Sequence, residues 1–166
     1  MGEYPEEYDE GKFVAASPWI HGFEEARAGI EMKGKPELGT PSYAQGWGPA
    51  VGWTDRGQVD QMGAEVTVPS GKYTDVLVIA ETSASEPDAQ QLKYFARGVG
   101  NVKVGWKGEG EKTKEVLELT KVEALDAAAL AEARAEALKL EKSALKNSKM
   151  YGQTSRLEHA PNSNGK

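Results

Sequence analysis

Side chains that could do chemistry are few and scattered in this sequence. The two histidines, His21 and His159, are far apart, so a metal site would require both to converge. A Ser-His-Asp triad could be assembled from His21, a serine and Asp75, but no G-x-S-x-G pattern marks a nucleophile. We therefore expect no catalytic residues, no metal site, no cofactor and no enzymatic activity.

Three carboxylates, Glu81, Glu86 and Asp88, fall within the polar segment 81–91, which we predict to be a loop or an edge excursion. They lack the D-x-D-x-D-G spacing of a calcium-binding loop. A solvated loop with Pro87 as a rigid turn is the simpler interpretation.

A glycine pair at Gly98 and Gly100 is similar to a fragment of a phosphate-binding loop. However, one predicted strand precedes it and another follows it, so no helix N-terminus is available to receive a phosphate. We predict a hairpin turn at this position.

Aromatic residues suggest the main functional hypothesis. They concentrate on or beside the predicted sheet, where they either fill the core of a Gly-rich β-domain or line an apolar pocket. Core filling is the simpler interpretation. On the pocket interpretation, six residues are candidates for ligand binding: Trp19, Tyr43, Trp47, Trp53, Tyr94 and Trp106.

The elements that would position these side chains are mainly strands. Alternation through Ala64, Val66 and Val68 predicts a strand with one buried face. The β-branched, nearly continuous apolar run 73–80 predicts a central strand buried on both faces. Alternating segments at 92–96 and 101–106 follow, and their short turns indicate an antiparallel meander.

Two further segments are less regular. The Gly-rich stretch 43–53 predicts a bent or bulged strand. The polar stretch 58–68 predicts a long strand in which Val59, Met62 and Ala64 point inward.

A helix is predicted near the C-terminus. Asp126 is a suitable N-cap, and apolar residues recur every three or four positions from Leu130 to Ala144. Acidic side chains lie early and lysines lie late, which complements the helix dipole. We expect this helix to span 126–148 and to cover part of the sheet, although the sequence also allows it to pack on a neighbouring molecule.

Together these patterns predict an α+β fold: a curved, half-barrel-like antiparallel meander followed by one long C-terminal helix. We divide the chain into an acidic arm (1–11), one domain (12–150, with the sheet in 12–122) and a flexible tail (151–166).

Composition narrows the functional classes. The 166 residues carry a net charge of −6 without a large basic patch, which disfavours nucleic acid as a partner. No apolar run is long enough to span a membrane, and no signal peptide is recognisable. The absence of cysteine excludes disulfides, thiol catalysis and Cys-ligated metals.

One stretch of the sequence has a distinctive pattern, which covers Thr67-Val68-Pro69, Gly71, Tyr73, Asp75-Val76-Leu77-Val78, Glu86-Pro87-Asp88 and 93–100. In these residues the chain resembles a group of uncharacterised bacterial secreted proteins and lipoproteins. A weaker similarity extends upstream to residue 8. The Val-Gly hairpin also resembles that of LolA-like envelope β-domains, at the level of the fold alone.

The resemblance implies an extracytoplasmic protein, periplasmic or secreted, but no activity. Members of the group begin with a further aromatic segment, so we expect the N-terminus of this chain to be trimmed or processed. We predict a non-enzymatic domain that binds an apolar or amphipathic small ligand. The alternative is a structural or interaction subunit of an envelope or extracellular assembly, which self-associates or binds a protein through the 126–148 helix or a sheet edge.

Overall fold

Four long strands lie between Arg56 and Gly108, where β-branched and aromatic residues recur. The structure is a computed structural model, and it describes residues 2–3, 5–84, 86–109 and 114–154. The described elements, in chain order, are β1 (Gly2–Glu3), β2 (Glu6–Asp9), β3 (Lys12–Ala16), β4 (Trp19–Ile20), β5 (Arg27–Ala28), β6 (Tyr43–Ala44), β7 (Gly46–Trp47), a 3-10 turn (Pro49–Val51), β8 (Arg56–Val68), β9 (Gly71–Ser83), β10 (Glu86–Ala96), β11 (Gly100–Gly108), β12 (Leu117–Glu118), α1 (Ala127–Asn147) and a second 3-10 turn (Tyr151–Gln153).

The main sheet has six strands in the order β12-β11-β10-β9-β8-β6, and every neighbouring pair is antiparallel. The four long strands follow one another by hairpins, which confirms the predicted meander. Three two-stranded ribbons, β1–β4, β2–β3 and β5–β7, precede the first long strand, β8, in the chain. The α+β class, with one long helix after the sheet, is confirmed.

The central strand β9 is buried on both faces over residues 76–81, apart from the half-buried Leu77, whereas Thr74 and Asp75 at the start of the predicted apolar run are exposed. Residues paired across antiparallel strands share a face, so Val78 lies with Tyr94 whereas Ile79 lies with Lys93 and Val59. Val78 has 1% of its surface exposed to solvent, and Ile79 has 0%. One face carries an apolar cluster made of Ala64, Val66, Val68, Val76, Val78, Ala96 and Val102.

The prediction of a polar loop or edge excursion over residues 81–91 is wrong. β9 continues to Ser83, and β10 already begins at Glu86, so only two residues separate these strands. Glu81 is therefore a strand residue, and it is buried. Polar character misled the assignment, because a carboxylate inside a sheet is expected only when specific partners reach it.

The inward positions predicted on β8 are correct for Val59 and Ala64, which are buried, but wrong for Met62, which is exposed. The register of β8 against β9 shifts three times between Val59 and Val66. Each shift interrupts the two-residue alternation on which the prediction depended.

The helix begins and ends close to the predicted residues. The Asp126 carboxylate accepts hydrogen bonds from the backbone N–H groups of Ala128 and Ala129, both at 2.9 Å, and therefore caps α1. The expectation that α1 covers the sheet is wrong, because Ala144 is its buried residue and Leu130 and Leu140 are exposed. Among the described elements, α1 packs mainly against the 3-10 turn Tyr151–Gln153.

The ends of the described chain differ from the predicted arm and tail. The acidic segment forms strand β2 of an exposed hairpin with β3, in which the Tyr8 and Phe13 rings lie edge to face at 5.9 Å. At the start of the predicted tail, Tyr151–Gln153 form a 3-10 turn, and the residues after Thr154, including His159, lie outside the described residues. Within the described part of the chain, no helix is long and apolar enough to cross a membrane.

We expect Asp126→Ala to shorten or fray α1, because two helix N–H groups lose their acceptor at a cost of about 1 kcal/mol of helix stability. Far-UV circular dichroism should show reduced helical signal. The melting temperature of the sheet should stay nearly constant, since α1 packs mainly on its own terminal turn.

Asp126→Asn is the matched control, because asparagine caps helices about as well as aspartate. A fall of about 3 °C or more in the melting temperature of the sheet in Asp126→Ala would show that α1 supports the sheet.

Candidate functional site

A groove of about 630 Å³ lies beside the β10–β11 turn. We call it the methionine groove. Its lining is formed by the β8–β9 pair (Met62, Gly63, Asp75, Leu77), the β10–β11 hairpin (Phe95, Ala96, Arg97, Gly98, Val99, Gly100) and a preceding segment (Met32, Lys33, Gly34, Pro36). Its volume falls within the roughly 300–1,000 Å³ typical of small-molecule sites.

The floor of the groove is set by strand register. Leu77 and Phe95 are cross-strand partners, so their side chains share one face of the sheet. Both are half-buried, which leaves apolar surface open to the groove.

The sheet bulges at the edge of this floor. Gly63 and Asp75 adopt left-handed backbone conformations, with φ of 69° and 53°, close to the register shifts of β8. A bulge bends its strand and redirects side chains, and here Met62 is directed outward with 46% of its surface exposed. The exposed thioether therefore results from local backbone geometry.

The opposite wall is the 31–36 segment, and backbone contacts hold its start against β6. The N–H of Ile30 donates to the carbonyl of Ala44 at 3.0 Å. Gly29 lies so close that a Cβ atom built on it would be 2.4 Å from the Ala44 oxygen. A side chain at position 29 would displace this wall, so glycine is required there for close approach.

A buried side chain also anchors the wall. Gln45 has 3% of its surface exposed, and its Nε2 donates to the carbonyl of Glu31 at 3.1 Å. The same Nε2 donates to Oε1 of Glu81 at 2.6 Å. Because Glu31 directly precedes Met32 and Lys33, Gln45 connects the sheet to the groove-lining segment.

The Glu81 carboxylate is paired with a lysine on the next strand. Lys93 Nζ lies 2.7 Å from Glu81 Oε2, and the Glu81 side chain is 4% exposed. Burial raises the pKa of the Glu81 carboxyl, although the Lys93 and Gln45 hydrogen bonds act to lower it. Burial acts to lower the pKa of Lys93, but the hydrogen bond and charge of Glu81, together with the charges of Glu31 and Asp55, offset it, so the pKa of Lys93 is also raised.

We call the connected set Lys93, Glu81, Gln45 and the Glu31 carbonyl the buried polar relay. Tyr43 lies beside the relay, and its hydroxyl donates a hydrogen bond to the Glu31 carbonyl oxygen at 3.4 Å. Burial, followed by the charges of Glu81 and Glu31, raises the pKa of the Tyr43 hydroxyl. The relay satisfies buried polar groups and fixes one wall of the groove.

The six aromatic candidates do not line the methionine groove. Trp19 is buried, and its ring lies 4.5 Å from that of Trp53, so the two rings pack on each other. Trp47, on β7, has 43% of its surface exposed. Tyr43 packs over Gly57, whose Cβ position would lie 3.0 Å from the Tyr43 ring.

The other two candidates are on the main sheet. Tyr94 packs against the apolar cluster of valines and alanines. Trp106 lines a second, smaller cavity of about 240 Å³ together with Asp55, Glu81 and Glu86. Its indole N–H donates to the carbonyl of Glu115 at 2.5 Å.

Neither cavity contains a recognisable metal centre. Among the described residues, no three His, Cys, Asp or Glu side chains are placed to hold a metal ion. His21 lies in an exposed turn, where its Nδ1 accepts a hydrogen bond from the Ala28 N–H at 3.1 Å. That bond gives His21 a structural role in the turn.

Sequence reasoning missed most of the groove lining. Arg97 and Gly98 were assigned correctly to a hairpin turn, but the turn was not expected to border a site. Met32 comes from a segment without a periodic pattern, and Met62 was placed inward. The available signals were the two methionines, Met32 and Met62, and the lone Asp75 within an apolar run.

Comparison with known proteins gives no assignment, because the chain matches no family model, no curated protein and no solved structure.

We expect Glu81→Gln to lower the free energy of unfolding by about 1–3 kcal/mol. The amide keeps one acceptor but presents an NH₂ group, so either Lys93 or Gln45 faces another donor in a buried position. Urea denaturation followed by tryptophan fluorescence measures the difference.

Glu65→Gln provides the matched control. Glu65 pairs with Lys72 at the same 2.7 Å, but both side chains are more than half exposed, at 61% and 58%. We expect a change of less than about 0.5 kcal/mol there. Equal losses in the two variants would contradict the conclusion that the relay stabilises the fold through burial.

Proposed function

We propose that this domain binds an apolar or amphipathic small molecule in the methionine groove, without chemistry on the ligand. The observation that supports this most directly is the lining itself: Met32, Met62, Leu77 and Phe95 expose apolar surface to one concavity of about 630 Å³. Thioether side chains are flexible and polarisable, so they adapt to ligands of different shape.

The anchoring of the groove also supports binding. Gln45 and the Ile30–Ala44 backbone hydrogen bond already hold one wall of the groove in place, so a ligand does not have to order that wall when it binds. Preorganisation of this kind improves affinity, since less conformational entropy is lost on binding. A periplasmic or secreted location remains a proposal that rests on the family resemblance.

A second candidate is an interaction subunit, and one observation favours it. The leucines Leu130, Leu138 and Leu140 keep 41%, 40% and 61% of their surface exposed along α1. A partner that covers this helix would bury them. Scattered exposed leucines are common in proteins, however, so the groove gives stronger support to the binding proposal.

Native mass spectrometry on gently purified protein separates the two proposals. A monomer with a discrete added mass supports the binding role. A defined oligomer without a bound molecule supports the interaction role and argues against the carrier role.

We expect the neutral fluorescent probe N-phenyl-1-naphthylamine to bind wild-type protein, and Met32→Gln/Met62→Gln to weaken that binding about tenfold. Replacing two exposed thioethers by amides removes apolar contact from opposite walls of the groove and makes probe binding less favourable by about 1–2 kcal/mol. Fluorescence titration measures the affinity.

Leu130→Gln/Leu140→Gln is the matched control, since it removes two exposed apolar side chains outside the groove. Unchanged probe affinity in the methionine variant, or an equal loss in the leucine variant, would place the probe elsewhere and refute the proposed site.

A further inference from the structure

The lining of the methionine groove carries more positive than negative charge. Arg97 in the β10–β11 turn and Lys33 on the opposite wall are cationic, and Asp75 is the acidic residue of the lining. None of these three forms an ion pair with another residue in the described ranges. The Lys33 ammonium lies 5.4 Å from the centre of the Tyr43 ring, which is a cation–π distance.

The position of Asp75 is set by the backbone. Its φ of 53° is left-handed, a conformation that aspartate and asparagine tolerate better than most side chains. Asp75 is exposed at the groove, immediately before the buried Val76. A carboxylate therefore faces the same concavity as the two cations and reduces the net charge of the lining to about one positive unit.

We infer that the ligand is an amphiphile with a single anionic head group, such as a carboxylate or a phosphate monoester. Its head lies near Arg97 and Lys33, and its apolar chain lies along Met32, Met62 and Phe95. This inference rests on the proposed function and adds the ligand class. Guanidinium groups bind carboxylates and phosphates by paired hydrogen bonds, which favours Arg97 as the main contact.

The test compares amphiphiles that share one decyl chain and differ in charge: decanoate, decyl phosphate, decanol and decyltrimethylammonium. Each competes with N-phenyl-1-naphthylamine below its critical micelle concentration or, for decanol, below its solubility limit. We expect decanoate or decyl phosphate to bind about fivefold more tightly than decanol, and the cation to bind most weakly. Whichever anion binds more tightly identifies the head group.

Two variants locate the head group. Arg97→Gln should weaken decanoate binding about fivefold and leave decanol binding unchanged, because it removes charge without removing apolar lining. Asp75→Asn should strengthen decanoate binding about threefold, since it removes a repulsive charge and asparagine keeps the left-handed backbone. Lys72→Gln is the control for a lysine outside the groove.

The outcomes separate this inference from the proposed function. If all decyl compounds bind equally, or if the cation binds most tightly, the anionic ligand class is wrong while the groove remains a binding site. Arg97→Gln with unchanged decanoate affinity also overturns the inference. If neither the probe nor any decyl compound binds, the proposed function itself fails.

Discussion

The groove and the sheet both depend on the burial of Glu81. A carboxylate inside a protein is stable only when opposite charge and hydrogen-bond donors replace the lost water. Lys93 supplies the charge from the neighbouring strand, and Gln45 supplies the donor from a distant segment. Because Gln45 also donates to the Glu31 carbonyl, the requirement of one buried charge fixes where the 31–36 segment lies.

This arrangement explains why the domain needs its irregular N-terminal third, the residues before β8. Residues 76–81 of β9 are buried apart from the half-buried Leu77, so both faces of this part of the strand must be covered. The long strands supply the apolar cluster on one face, and residues before β8 contribute the cover on the other. Gly29 and Gly57 allow that cover to approach, since a Cβ at either position would contact Ala44 or Tyr43 at about 3 Å or less.

The sequence predicted elements whose signals are local. The apolar run of β9 and the Asp126 cap each identify an element from neighbouring residues alone, and both predictions were confirmed. Glu81 was misassigned because its partner Gln45 is 36 residues away in the chain. Met62 was misassigned because a bulge depends on the backbone conformations of two strands together, here at Gly63 and Asp75. The helix was predicted correctly, but its partner was not, since an alanine-rich stripe does not specify the surface on which it packs.

The bulges that made the predicted inward position of Met62 wrong also create the candidate site. A regular strand at 58–68 would alternate its side chains between two covered faces, and the outer edge of β8 would be flat and open over much of its length. Flat, exposed edges promote association with other strands. Three register shifts bend this edge, and one of them turns Met62 outward beside Asp75. The same local irregularity thus interrupts an open sheet edge and opens an apolar groove with charged rims, so the proposed binding site arises from the bulged geometry of that edge.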